Sequence, residues 1–194
     1  MNDESANTEM ERGGPIVAFI NLMDKVCFLG AIISALCLAA LVVLIIGEIG
    51  VAFLSKLIPS MPASIPIAWE YTGYLLGTVF MMGSGLALRT GGHIRLGIIL
   101  DSLQNDRKRI VETVASVIGL IFTGFMFWSL LQFAMRTFER GTLSPQSFTP
   151  LWIPQGLLAL GAFLLFMQMF ARLLACIVDL PLDNLKMRPK TLED

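Results

Sequence analysis

The chain has 194 residues, of which 55% are hydrophobic and only 15% charged, and its mean hydropathy is +0.73. Soluble domains carry about a quarter charged residues, so the composition points to the membrane class. The formal net charge of -1 leaves no basic face for nucleic acid, and no nucleic-acid partner is expected.

The opening stretch "MNDESANTEMERGG" is acidic. It lacks the basic start of a signal peptide, and residues 1–23 read as a cytoplasmic tail. A membrane domain is predicted over residues 24–178. Charges punctuate its apolar runs and set four predicted spans at 26–47, 71–88, 113–135 and 151–171. Each is close to the ~20 residues that a helix needs to cross ~30 Å of hydrocarbon. No Asp, Glu, Lys, Arg or His falls inside any of them. Intramembrane ionisable groups are the usual marks of ion pathways and proton relays, so the chain is not expected to move a substrate by itself.

The small and polar residues within the spans suit helix packing. Gly30 and Ser34, and Gly73 and Gly77, have the small-xxx-small spacing that lets backbones approach closely. Ser129, Gln132 and Gln168 can hydrogen-bond across helices, within this bundle or to a second membrane protein. Cys27, Cys37 and Cys176 show no close pair or ligand spacing and read as free thiols. A single histidine cannot supply paired haem or metal ligands.

The first outer loop, "SKLIPSMPASIPIAWE", holds Pro59, Pro62 and Pro66, which stop it from extending a helix. The second, "RTFERGTLSPQSFTPLWIP", turns at Gly141 and holds Pro145, Pro150 and Pro154. Trp69 and Trp152 lie at span ends, where indole favours the headgroup layer.

Between the second and third spans lies "LALRTGGHIRLGIILDSL". After the break at Gly91 and Gly92, residues 94–110 place Leu96, Ile99, Leu100, Leu103 and Ile110 on one helical face. That pattern predicts an amphipathic helix lying in the membrane interface or against a partner. His93 has no neighbour in sequence that would make it catalytic. Arg89, His93 and Arg95 are instead expected to hold the elbow at the interface.

Orientation follows from the basic residues. Eleven of the 14 Lys and Arg lie before the first span (Arg12, Lys25), in the central loop (Arg89, Arg95, Arg107, Lys108, Arg109) and after the fourth span (Arg172 and, in the final tail of residues 179–194, Lys186, Arg188 and Lys190). Only Lys56, Arg136 and Arg140 lie in the two outer loops. Both termini are therefore expected in the cytoplasm. The predicted fold class is an all-α integral membrane protein with four transmembrane helices plus an interfacial helix.

The run "ALRTGGHIRLGIILDSL" resembles the signature of the small membrane subunit of tripartite ATP-independent periplasmic (TRAP) transporters, the DctQ-like family. The matching positions are Ala87, Leu88, Arg89, Gly91, His93, Ile94 and Arg95. A second match is Ser144 ahead of Pro150-Leu151-Trp152-Ile153-Pro154, with Gly161 and Gln168 beyond it. Trp69-Glu70 is also similar. The chain departs from the pattern at Leu96-Gly97, at Leu103-Gln104 and at "EIGVAF" after the first span.

The resemblance implies a non-catalytic scaffold subunit in the bacterial inner membrane. It implies no cofactor and no metal in this chain. Its partners would be a large membrane subunit that binds sodium ions and substrate, a periplasmic substrate-binding protein, and membrane lipids. The cargo would be an organic anion of the carboxylate or sulfonate class. Lys56, Arg136 and Arg140 would then be placed to dock the binding protein. Two other readings stay open on the residues alone. One is a membrane oxidoreductase subunit; the other is a self-contained small exporter that uses Glu48.

Overall fold

The computed structural model describes residues 14–58, 60–90 and 105–178. They form four helices, α1 (Gly14–Leu57), α2 (Ala68–Arg89), α3 (Asn105–Arg140) and α4 (Trp152–Val178). Among the described residues the only extended pairing is an isolated antiparallel bridge between Leu143 and Pro150. The all-α class predicted from the sequence is the class observed.

Three helices are long and apolar enough to cross a membrane: α1, the Ile110–Arg140 part of α3, and α4. The α2 sequence is diluted by glycines and hydroxyl residues, "AWEYTGYLLGTVFMMGSGLALR". Its position explains that composition. It packs against both α1 and α4, where small side chains are needed, while α4 touches all three other helices.

The helices overrun the spans bounded by charge. At about 1.5 Å per residue, the 44 residues of α1 reach about 66 Å, twice the thickness of the hydrocarbon layer. The α1 helix starts at Gly14 rather than Val26, so residues 14–23 of the expected tail are helical. Asp24 and Lys25 mark where the apolar run begins, but neither breaks a helix. Likewise α3 begins at Asn105. Residues 105–110, counted from sequence into the interfacial helix, form the first turns of α3, because "NDRKRI" contains no glycine or proline to separate them. The rest of that helix, residues 94–104, lies outside the described residues, as do 1–13 and 179–194.

The bundle is inverted relative to a soluble protein. Large side chains such as Leu36, Val43, Ile121 and Phe125 face outward, whereas most buried positions on α4 are small, among them Ala159, Gly161, Ala162, Ala171 and Ala175. In lipid the outward residues have an apolar solvent, so close backbone approach rather than a hydrophobic core brings helices together. A Cβ placed on Gly161 would stand 2.6 Å from Met81 Cβ and 2.9 Å from Met81 O. On the α1–α2 seam, a Cβ on Gly30 would come 3.1 Å from Met82 O. One turn on, the Ser34 hydroxyl donates to Val79 O at 2.8 Å. Beyond the predicted first span, Ile20 packs with Ala171 and Ala175, and Phe19 meets Phe170 edge-on at 6.1 Å. These contacts hold the early turns of α1 onto α4.

Gly161→Ala should therefore destabilise the bundle by about 1–3 kcal/mol through overpacking. Gly73→Ala, where an added Cβ meets nothing within 4 Å, should be neutral or slightly stabilising. Thermal unfolding of the detergent-solubilised chain measures both; equal effects would refute the close α2–α4 crossing.

Candidate functional site

Polar side chains gather at the two ends of the bundle. Helical rise places the ends: Asp24 and Glu48 are about 36 Å apart along α1, and Glu70 and Arg89 about 28 Å apart along α2. Both spacings are close to the ~30 Å thickness of a hydrocarbon layer.

At one end Asp24 and Gln168 are each only 2% exposed, and Arg89 only 9%. Arg89 Nε lies 3.0 Å from Asp24 Oδ1 and donates to Oδ2 at 3.2 Å. Gln168 Nε2 donates to Asp24 Oδ1 at 3.1 Å, and its Oε1 accepts from the Cys27 thiol at 3.5 Å. One carboxylate thus binds α1 to α2 and α4. Arg89 lies in the last turn of α2, where the helix dipole also favours a cation. Nearby, Ser116 of α3 lies 3.9 Å from Cys176 Sγ of α4.

At the other end the acceptor is Glu70, in the first turn of α2. It reaches the loop between α3 and α4. Ser144 Oγ donates to Glu70 Oε2, Ser147 N donates to the same oxygen at 3.0 Å, and Gln146 N donates to Oε1 at 3.1 Å. The loop is braced internally. Ser144 N donates to Thr149 O at 2.9 Å, and Leu151 N to Thr142 O at 3.1 Å. Ser147 and Thr149 hydroxyls pair at 2.8 Å. Tyr71 OH reaches Thr149 Oγ1 at 3.1 Å. Closing this hairpin needs left-handed backbone at Gly141 (φ 61) and at Phe148 (φ 52). Phe148 stands 72% exposed at the tip, a conformation uncommon for so bulky a residue. Hydrogen bonds from Ser144, Ser147 and Gln146 hold the Glu70 carboxyl down at about 2, with the Ser144 hydroxyl the leading cause. Glu48 plays a parallel part in the first outer loop, where Ile65 N donates to its Oε2 at 2.9 Å.

The residues singled out from sequence are distributed as follows. Arg89 and Gln168 meet in the Asp24 network. Trp69 is 85% exposed at the start of α2. Trp152 sits edge-on to Phe138 at 5.4 Å. Gly77 lies against Leu158 of α4, whereas Gly73 faces outward. Lys56 and Arg140 are exposed at the Glu70 end. Arg136 lines a shallow groove of about 360 Å³ on the outer face of α3 with Trp128, Ser129, Gln132 and Phe133. His93 and Arg95 lie outside the described residues. Among the described residues no three His, Cys, Asp or Glu side chains gather into a set that could hold a metal ion.

Sequence reasoning missed Asp24 and the partnership of Glu70 with Ser144. The signal for Asp24 was topological: an acid at the mouth of the first span and an arginine at the end of the second must lie on the same side of the membrane.

A helical bundle with lipid-facing apolar side chains and its charged groups confined to two ends is a multi-pass membrane protein. The family described as "Tripartite ATP-independent periplasmic transporters, DctQ component" fits residues 59–178, and the chain belongs to that family. It is 26% identical over 102 residues to the ectoine TRAP transporter small permease protein TeaB of Halomonas elongata, covering 50% of this chain and 53% of TeaB. It is 23% identical over 121 residues to the C4-dicarboxylate TRAP transporter small permease protein DctQ of Rhodobacter capsulatus, covering 61% of this chain and 53% of that protein. The chain spans about half the length of these curated relatives. Family and fold together place it in the inner membrane.

Arg89→Gln should destabilise the folded chain by about 3–5 kcal/mol, because it leaves a buried carboxylate without its cation. Gln168→Leu should cost only about 1 kcal/mol, as for an interhelical hydrogen bond. Adding Asp24→Asn to Arg89→Gln should recover much of the loss in denaturation of the detergent-solubilised chain; additive losses would refute the pairing.

The Glu70 clasp predicts a pH dependence. Its carboxyl sits below the ordinary 4.5 when folded, so its contribution is complete above about 4.5 and disappears as pH falls through about 2. The difference in melting temperature between the wild type and Glu70→Gln should be constant above pH 4.5 and shrink toward pH 2. A difference independent of pH would show that the carboxylate is not clasped.

Proposed function

We propose that the chain is the small, non-catalytic subunit of a sodium-driven TRAP-type secondary transporter that takes up an organic anion of the carboxylate or sulfonate class. The observation that carries this reading is the family match over residues 59–178, which covers α2, α3 and α4. The C4-dicarboxylate relative agrees with an organic-anion cargo.

In this reading all four helices cross the membrane, α2 sheltered between α1 and α4, and both termini face the cytoplasm as the basic residues require. The segment 94–104 leads along the cytoplasmic interface, with Arg89, His93 and Arg95 at its elbow. Sodium and substrate are bound by the large membrane subunit, and a periplasmic binding protein delivers the cargo. No residue of this chain is assigned to catalysis, a cofactor or a metal. The charged groups at both ends have structural partners: Asp24 is neutralised by Arg89, Glu70 holds a loop, and Glu48 holds another. That last contact favours the scaffold over an exporter driven by Glu48.

The α3 groove suits the large subunit. Ser129 and Gln132 lie in the groove on the outer face of α3, in the last turns of its apolar run. A facing helix would give them hydrogen-bond partners that lipid tails lack. Lys56 and Arg140, with Arg136 at the groove's end, offer positive charge to the binding protein.

The test is reconstitution of this chain with its large subunit and binding protein in vesicles, with uptake followed for a panel of C4-dicarboxylates and sulfonates. Uptake should need all three proteins and an inward sodium gradient. Transport by this chain alone would overturn the proposal. Reversing the charges of Lys56, Arg136 and Arg140 together should weaken capture of the binding protein at low salt; unchanged affinity would remove those residues from the docking surface.

A further inference from the structure

A cleft of about 440 Å³ opens at the Glu70 end between α1, the first outer loop and the start of α2. Its walls combine two chemistries. Glu48, Ser64, Thr72, the Trp69 indole and Gln146 from the loop between α3 and α4 supply the polar part, and Ile45 and Ile49 the apolar part. Glu48 is the one ionisable residue in the lining, so the cleft presents negative charge. We propose that it binds the headgroup of a phospholipid carrying a primary ammonium, of the phosphatidylethanolamine type.

Depth, charge and shape each favour that occupant. The cleft lies at the level of Trp69, whose exposed indole belongs in the headgroup layer. Glu48 is about 36 Å along α1 from the Asp24 network, which places it at the opposite membrane border. The Ile65 N–H holds one carboxylate oxygen of Glu48 at 2.9 Å, fixing the charge at the edge of the cleft. An ammonium can donate to this carboxylate and to the hydroxyl oxygens of Ser64 and Thr72, and can sit on the indole face. The two hydroxyls can in turn donate to the lipid phosphate. A quaternary choline has no N–H to donate, and an anionic headgroup would meet Glu48 with like charge.

The apolar wall continues below the headgroup. Leu38, Val42, Ile45 and Ile49 are all exposed, and their spacing puts them on one face of α1. They form a track from the cleft toward the bilayer centre, along which an acyl chain can lie. This inference needs only the membrane placement of α1 and α2, and it stands or falls separately from the transport reading.

The experiment uses the full chain purified from vesicles with equal amounts of phosphatidylethanolamine, phosphatidylcholine and phosphatidylglycerol, followed by mass spectrometry of the intact protein with its retained lipids. Phosphatidylethanolamine should be retained several-fold over the other two. Glu48→Gln, which keeps a carbonyl acceptor for Ile65 N and removes only the charge, should abolish that preference without changing the melting temperature. Trp69→Ala should weaken retention, and Glu139→Gln, a carboxylate outside the cleft lining, should leave it unchanged. Equal retention of the three lipids, or a preference that survives Glu48→Gln, would overturn the proposal. A gain in stability from a lysine-rich peptide in place of the lipid would likewise overturn it, assigning the cleft to a basic segment of a protein partner.

Discussion

A carboxylate that is 2% exposed at the edge of a hydrocarbon layer is tolerable only if its charge is compensated in place. Asp24 meets that condition with groups from two other helices, Arg89 from α2 and Gln168 from α4. Three constraints follow. The register of α1 against α2 is fixed to within a turn, because a slip would move the acid from the guanidinium. The rotation of α4 is fixed, because Gln168 must aim its amide at the carboxylate and its oxygen at Cys27. The start of the apolar run of α1 is also levelled with the end of α2, because Asp24 and Arg89 must lie side by side. In a bundle whose exterior is as apolar as its surroundings, burial alone could not supply these constraints.

The two ends solve different problems. At the Asp24 end, buried groups neutralise one another. At the Glu70 end, one carboxylate gathers backbone and hydroxyl donors from a loop that would otherwise hang between α3 and α4. Hydrogen bonds to the charged form of a carboxylate are stronger than neutral ones, so a single acid can hold the hairpin with Phe148 in an uncommon backbone conformation. The small-residue crossing of α4 on α2, with Met81 against Gly161, lies between the two assemblies and lets both form in the same bundle.

Much of this architecture could be read from the residues. The apolar runs located the four helices, and the family signature named the relatives before any contact was known. The helix limits were less legible, because charge bounds an apolar run but does not end a helix. Glycine, proline and a cap do that, and none separates Asn105 from Ile110 or Gly14 from Asp24 beyond Pro15 in the opening turn. The contacts were least legible. Asp24 and Gln168 are 144 positions apart, and Glu70 and Ser144 are 74 apart. Composition carries no information on such pairs, although the same-side rule for span ends narrows the choice for Asp24.

The order in which the ribosome delivers these residues bears on how the network is completed. Asp24 is synthesised first, in a helix that enters the bilayer before its cation exists. Arg89 follows at the close of the next helix, so an α1–α2 hairpin can neutralise the acid as soon as two helices are in place. Gln168 arrives last, when the ion pair can already have formed; its amide can then secure α4 on the α1–α2 seam. Chain order thus permits a directional assembly, with the electrostatic hazard removed early and the final helix added as a lock.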